Sequence, residues 1–161
     1  TSYGQNNNIN LDGVLWNSTN VIRGNASEDA FFDTAGLRFR NTSRIETAES
    51  FYGIEEISFF IGNVRGGFFN IGTSTYNVSL SNDGVNFTSI FDGNAPTGSL
   101  SQVTVDVQSI LENGFLLNNG ATVNLESELF VRIEFTGVGL FGARFVNLDN
   151  VTIQYRNEGV Q

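Results

Sequence analysis

Apolar and polar residues alternate one for one along segment after segment of this chain. Tyr76, Val78 and Leu80 are interleaved with Asn77, Ser79 and Ser81; Val103, Val105 and Val107 with Thr104 and Asp106. Val131, Ile133 and Phe135 are interleaved with Arg132 and Glu134, and Val151, Ile153 and Tyr155 with Thr152, Gln154 and Arg156. Successive side chains of a strand point to opposite faces, so this period writes strands with one buried face. Leu37-Arg38-Phe39-Arg40 repeats the pattern, while Ile57-Ser58-Phe59-Phe60-Ile61 is apolar on nearly both faces and belongs at the centre of a sheet. A helical period is missing except over about 107–113, where one turn is expected in a connection.

Turn residues punctuate the strands. Ser81-Asn82-Asp83-Gly84 separates two alternating runs and predicts a tight hairpin, turning on Asp83 or Gly84 with positive φ. Asp12-Gly13, Asp92-Gly93, Asn113-Gly114 and Asn119-Gly120 mark further turns, and 91–101, around the single Pro96, reads as a surface loop. With 161 residues and no internal boundary, the expectation is a single domain over residues 1–161. Its fold class is all-β, a single antiparallel β-sandwich of jelly-roll type with about nine or ten strands.

Three segments carry a resemblance. The run from Tyr76 to Phe87, with Ser81-Asn82-Asp83-Gly84 at its turn, resembles the hairpin of discoidin-like and carbohydrate-binding-module sandwiches found in exported bacterial surface proteins. The ending Phe145-Val146-Asn147-Leu148-Asp149-Asn150-Val151-Thr152-Ile153 is similar to their last strand, with an Asp-Asn pair before an alternating run, and Leu11–Trp16 with Gly36–Phe39 is similar to their first strands. The resemblance implies an extracellular sandwich, a structural calcium and a glycan site. The exposed Trp platform usual at a glycan site is missing, because the one tryptophan, Trp16, lies in an apolar run.

Composition removes several functions. The chain has no His, Cys, Lys or Met, so the usual general bases and activated nucleophiles are missing and no enzymatic role is expected. Glu46 with Glu49, Glu55 with Glu56, and Glu126 with Glu128 are carboxylate pairs that read as solvated strand edges. All eight basic residues are scattered arginines and the net charge is −9, which disfavours nucleic acid. No apolar run reaches the length of a membrane span. The start at Thr1, without an initiator Met, reads as an exported chain after removal of a leader, and the Asn, Ser, Thr and Gly polarity fits an extracellular or cell-surface location.

Metal binding is restricted to oxygen donors. Asp29 and Asp33, with Asp149 before the last strand, are candidate Ca²⁺ ligands with a structural role; the competing reading makes the first two turn formers and the third a strand cap. Six Asn-x-Ser/Thr sequons, at Asn17, Asn25, Asn41, Asn77, Asn86 and Asn150, are expected largely from composition. Two function classes follow. In the first the chain is a self-assembling subunit of a surface layer or filament, its partners copies of itself. Its N-terminal segment would then add a strand to a neighbour through Ile9, Leu11, Val14 and Trp16. In the alternative it is a carbohydrate-binding or adhesive module of a larger secreted protein, with a polysaccharide partner held by exposed rings such as Phe68 and Phe69.

Overall fold

A computed structural model describes residues 5–24, 36–62, 72–96, 100–139 and 145–156. In chain order these form β1 (Gln5–Leu11), β2 (Val14–Gly24), β3 (Gly36–Thr47), β4 (Phe51–Tyr52), β5 (Ile54–Gly62), β6 (Gly72–Ser81) and β7 (Thr88–Asn94). Then come β8 (Ser101–Asp106), α1 (Val107–Leu111), β9 (Phe115–Leu116), β10 (Thr122–Val123), β11 (Glu128–Gly139) and β12 (Phe145–Tyr155). The described residues thus form twelve strands rather than the nine or ten expected, nine of them six residues or longer. The other three, β4, β9 and β10, are two-residue pairs too short to show any alternation.

Every strand pair among the described residues is antiparallel. Ten strands share one hydrogen-bonded network, in the order β7-β6-β11-β3-β12-β5-β8, with β1 and β2 branching from β3 and β4 from β11. The network folds into two layers because the β2–β3 hairpin belongs to both. Trp16–Thr19 and Arg44–Thr47 pair in the first layer, beside β11. Val21–Gly24 and Gly36–Phe39 pair in the second, beside β12. A bulge between Thr19 and Val21 makes the corner, as strands that change sheet require. Asn20 occupies it at φ +59; its amide donates to the Thr42 carbonyl at 3.0 Å, and Ser43 Oγ donates to the Asn20 carbonyl at 2.9 Å. Sheet one is therefore β1-β2-β3-β11-β6-β7, and sheet two is β2-β3-β12-β5-β8.

The inward faces meet in one apolar core. Trp16, Phe39, Ile45, Phe59, Val78, Ile133 and Phe135 are all inaccessible to solvent, and Phe39 and Phe135 pack at 6.4 Å between ring centroids. Asp106 caps α1, accepting from Ser109 N at 3.2 Å, so the expected single turn is present and ends at Leu111.

Three local expectations change. The connection at Ser81–Gly84 is a longer turn over 82–87, with Leu80 paired to Thr88. Gly84 takes the positive φ, +76, and Asp83 does not. Residues 91–94 are strand rather than loop, because β7 pairs with β6 as far as Asn94. Their Phe-Asp-Gly-Asn sequence hides this, since Gly93 sits where any Cβ would lie 2.5 Å from the Tyr76 hydroxyl. Asp149-Asn150 forms a bulge inside β12, with Asn150 at φ +49, instead of preceding the strand.

Candidate functional site

Sheet one turns a mostly polar set of side chains outward from its central strands, with Phe130 of β11 and Leu15 of β2 as the apolar members. Strand register aligns them in rows across five strands. One row runs Asn17, Glu46, Arg132, Ser79, Ser89 and the next Thr19, Arg44, Glu134, Asn77, Asp92. A shorter third row is Thr42, Thr136, Thr75, Asn94. Paired side chains on one face stand about 5 Å apart, so each row is a continuous strip of donors and acceptors.

The strip is fixed by its own contacts. Glu46 lies between two arginines, with Arg44 Nε at 2.9 Å and Arg132 Nη2 at 3.3 Å from its Oε1. The Arg44 contact is one of charge rather than an aligned hydrogen bond. Side-chain exposure of 18% for Arg132 and 20% for Glu46 means that much of this pair is withdrawn from water. Glu46 is thus an interior strand residue, not the solvated edge charge its sequence context suggests. The Asn77 amide donates to Ser89 Oγ at 2.5 Å, and its Oδ1 accepts from Ser79 Oγ at 2.6 Å.

An aromatic group closes one end. The Arg132 guanidinium sits 3.9 Å from the Phe87 ring centroid, within cation–π range. Phe87 is held there by the 82–87 turn. Ser81 Oγ accepts from Asp83 N and Gly84 N, and Asp83 Oδ1 accepts from Val85 N at 2.9 Å and Asn86 N at 2.7 Å. The Asn86 backbone and amide donors, followed by Val85 N–H and the Ser81 hydroxyl, hold the Asp83 carboxyl well below the usual carboxylate range. The turn is docked in its place by Asn119, whose amide donates to Asn82 Oδ1 at 2.8 Å, and by Asn118 N, which donates to Thr88 Oγ1 at 2.8 Å.

The opposite margin holds a hollow of about 420 Å³, lined by Thr75, Tyr76, Asn77, Asp92, Gly93 and Asn94. This volume lies within the roughly 300–1,000 Å³ of small-ligand sites. Tyr76 stacks on Phe91 at 6.2 Å, and Phe91 is partly open to solvent. Burial, with the Asp92 carboxylate adding to it, raises the Tyr76 phenol above its ordinary value, so the ring stays neutral.

The candidate metal, ligand and subunit-contact residues fall elsewhere, while the sequon residues Asn17 and Asn77 lie in the rows themselves. Asp29, Asp33, Phe68 and Phe69 lie outside the described residues. Asp149 sits in the β12 bulge, where its Oδ1 accepts from Asn150 N at 2.8 Å, and no group of three potential metal ligands occurs among the described residues. Residues 5–24 pair within their own domain: Ile9 lies opposite Trp16 and Leu11 opposite Val14, across a turn with Asp12 at φ +52 and Gly13 at φ +87. Trp16 is wholly buried, and Leu11 and Val14 pack against the same core, so these side chains are already used by the domain itself. No helix among the described residues is long and apolar enough to cross a membrane.

No family model and no curated protein matches the chain. Solved structures do. The chain is similar to TmCBM61 in complex with β-1,4-galactotriose, at 13% identity over 88% of each chain with a TM-score of 0.53. It is similar to the family 11 carbohydrate-binding module from Clostridium thermocellum in complex with a β-1,3-1,4-mixed-linked tetrasaccharide, at 15% identity over 95% of this chain and 96% of that one, TM-score 0.53. A third likeness is to the K2 cleaved adhesin domain of Lys-gingipain, at 11% identity over 89% and 84% of the two chains, TM-score 0.51. The chain thus has the β-sandwich fold of carbohydrate-binding modules, as its hairpin and last strand suggest.

Proposed function

We propose that this chain is a non-catalytic extracellular carbohydrate-binding module, and that it holds a glycan against the outward face of sheet one. The observation that carries this is the alignment of amide, hydroxyl and ion-paired side chains in rows across five strands. Sugar hydroxyls both donate and accept, and such rows offer both at regular spacing. Arg132 and Glu46 orient one another, so little side-chain freedom is lost when a ligand arrives. The likeness in fold to modules solved with oligosaccharides supports the same reading.

Electrophoresis in gels containing soluble polysaccharides tests it. The native chain is expected to be retarded by at least one glycan. Arg132→Ala, which uncovers Phe87 and leaves Glu46 with one arginine, is expected to abolish the retardation. A triple variant of the other sheet, Gln102→Ala with Thr104→Ala and Gln154→Ala, is expected to behave as native. Equal retardation of the Arg132 variant, or loss in the sheet-two variant, overturns the assignment to sheet one.

A further inference from the structure

The carboxylates on and around this face differ in whether they are already engaged. Asp83 accepts two backbone N–H groups and the amide of Asn86. Glu134, half-buried in the same row as Asp92, stands opposite Arg44 of β3. Glu46 faces two guanidiniums. Asp92 is exposed in the hollow, and no hydrogen bond or ion pair among the described residues engages it. Its cross-strand partner Asn77 is fixed between Ser79 and Ser89, and Asn94 follows two residues along the same strand.

An ionised carboxylate only accepts hydrogen bonds, and has room for several. Whatever enters the hollow must therefore bring donors to Asp92. A uronate adds negative charge to its hydroxyls, sulfate and phosphate bring negative charge alone, and the two described arginines of the face are both turned to Glu46. A neutral pyranose brings two adjacent hydroxyls, which a carboxylate can take together, and its ring oxygens and remaining hydroxyls can accept from the flanking amides.

Resting on the carbohydrate-binding reading, we infer that the hollow between β6 and β7 is the subsite that sets ligand class: Asp92 takes a vicinal diol of a neutral sugar, flanked by the Asn77 and Asn94 amides. The face then selects uncharged glycans and rejects polyuronates.

The test is calorimetric titration of the native chain, Asp92→Asn and Arg132→Ala. The probes are neutral β-linked gluco-, xylo- and galacto-oligosaccharides, an oligogalacturonate and a cationic chitosan oligomer, at matched length. Asp92 is exposed and Asn is nearly isosteric, so unchanged melting of the variant is the accompanying check. One neutral series is expected to bind, the oligogalacturonate is not, and Asp92→Asn is expected to weaken neutral binding about ten- to hundredfold, the size of a lost charge-assisted hydrogen bond. Native affinity in Asp92→Asn, with binding lost in Arg132→Ala, overturns the hollow's role and leaves the face as the glycan site. Equal binding of the oligogalacturonate, or tighter Asp92-dependent binding of the chitosan oligomer, overturns the choice of a neutral diol. Failure of every sugar to bind the native chain removes the carbohydrate reading and this inference with it.

Discussion

The two layers of this sandwich are alike inside and different outside. Inward, both present wholly buried apolar side chains, Phe135 and Ile133 from sheet one and Phe59 and Ile57 from sheet two. Outward, sheet one has rows five strands wide whose central members are half-buried and include two arginines. Across β12, β5 and β8 of sheet two the rows are three wide, Asp149-Phe60-Gln102, Thr152-Ser58-Thr104 and Gln154-Glu56-Asp106, and the β12 bulge between Asp149 and Thr152 interrupts their succession. In the last two rows the outer members are exposed and the middle ones, Ser58 and Glu56, are half-buried but belong to no ion pair among the described residues. Equal interiors reflect a shared core, which neither sheet can bury alone. Unequal exteriors show where polar side chains have been withdrawn from water and fixed by one another.

The comparison makes its largest prediction about the interior, where no difference is expected. Phe135→Ala and Phe59→Ala should each destabilise by about 3–5 kcal/mol, the range for truncating a buried ring. Denaturant unfolding measures both; a loss below about 1 kcal/mol in either would mean that its sheet contributes little to the core. Next in size is Gly84→Val, at the end of sheet one. The residue has φ +76, and its Cβ would stand 3.4 Å from the Phe130 ring. A β-branched side chain there is expected to cost about 1–3 kcal/mol, and an unchanged Tm would remove the strained turn from the account.

The interior was far more legible in the sequence than the exterior. Alternation at 76–81, 103–107 and 131–135 places β6, β8 and β11, and Ser81-Asn82-Asp83-Gly84 places the turn between β6 and β7. The outward rows could not be read, because they join residues distant in sequence. Asn17, Glu46, Arg132 and Ser79 become neighbours only through the register of strands that are not consecutive. The arginines look scattered for the same reason, and the alternating polar positions of each strand look like ordinary solvent-facing residues. Trp16 shows the opposite error: its apolar surroundings suit a contact with another copy as well as a core, and only the pairing of β2 with both β1 and β3 decides for the core.

Smaller effects sharpen the outward difference. Glu46→Ala leaves Arg132 and Arg44 without their shared carboxylate at a half-buried position, with an expected loss of about 1 kcal/mol after allowing for partial screening. Glu56→Ala, half-buried on the corresponding face of sheet two but in no ion pair among the described residues, should fall within about 0.5 kcal/mol of native. Urea midpoints compare the two directly. Equal losses would mean that the ion-paired rows are no more fixed than the plain face opposite.

The smallest effect concerns the turn that positions Phe87, and it is read through pH. Asp83 and Asp106 both cap local structure, one near each sheet's end, and both have carboxyls depressed below their ordinary range, Asp83 by Asn86 first and Asp106 by Ser109. A carboxyl whose folded pKa lies below its unfolded value, about 3.9, contributes stability that is present above that value and is lost as the pH falls through the folded pKa. Asp83→Asn keeps an oxygen acceptor but removes the charge, so it isolates this contribution. The Tm of the variant should lie below that of the native chain at neutral pH, and the gap should close as the solution is made strongly acid. Asp106→Asn should show the same closure with a smaller gap, because only Ser109 donates to it, through its backbone and its hydroxyl. A gap that stays constant from neutral to strongly acid pH would mean that the charge of Asp83 does not hold the turn. Phe87 would then owe its place beneath Arg132 to the Asn82–Asn119 and Thr88–Asn118 contacts alone.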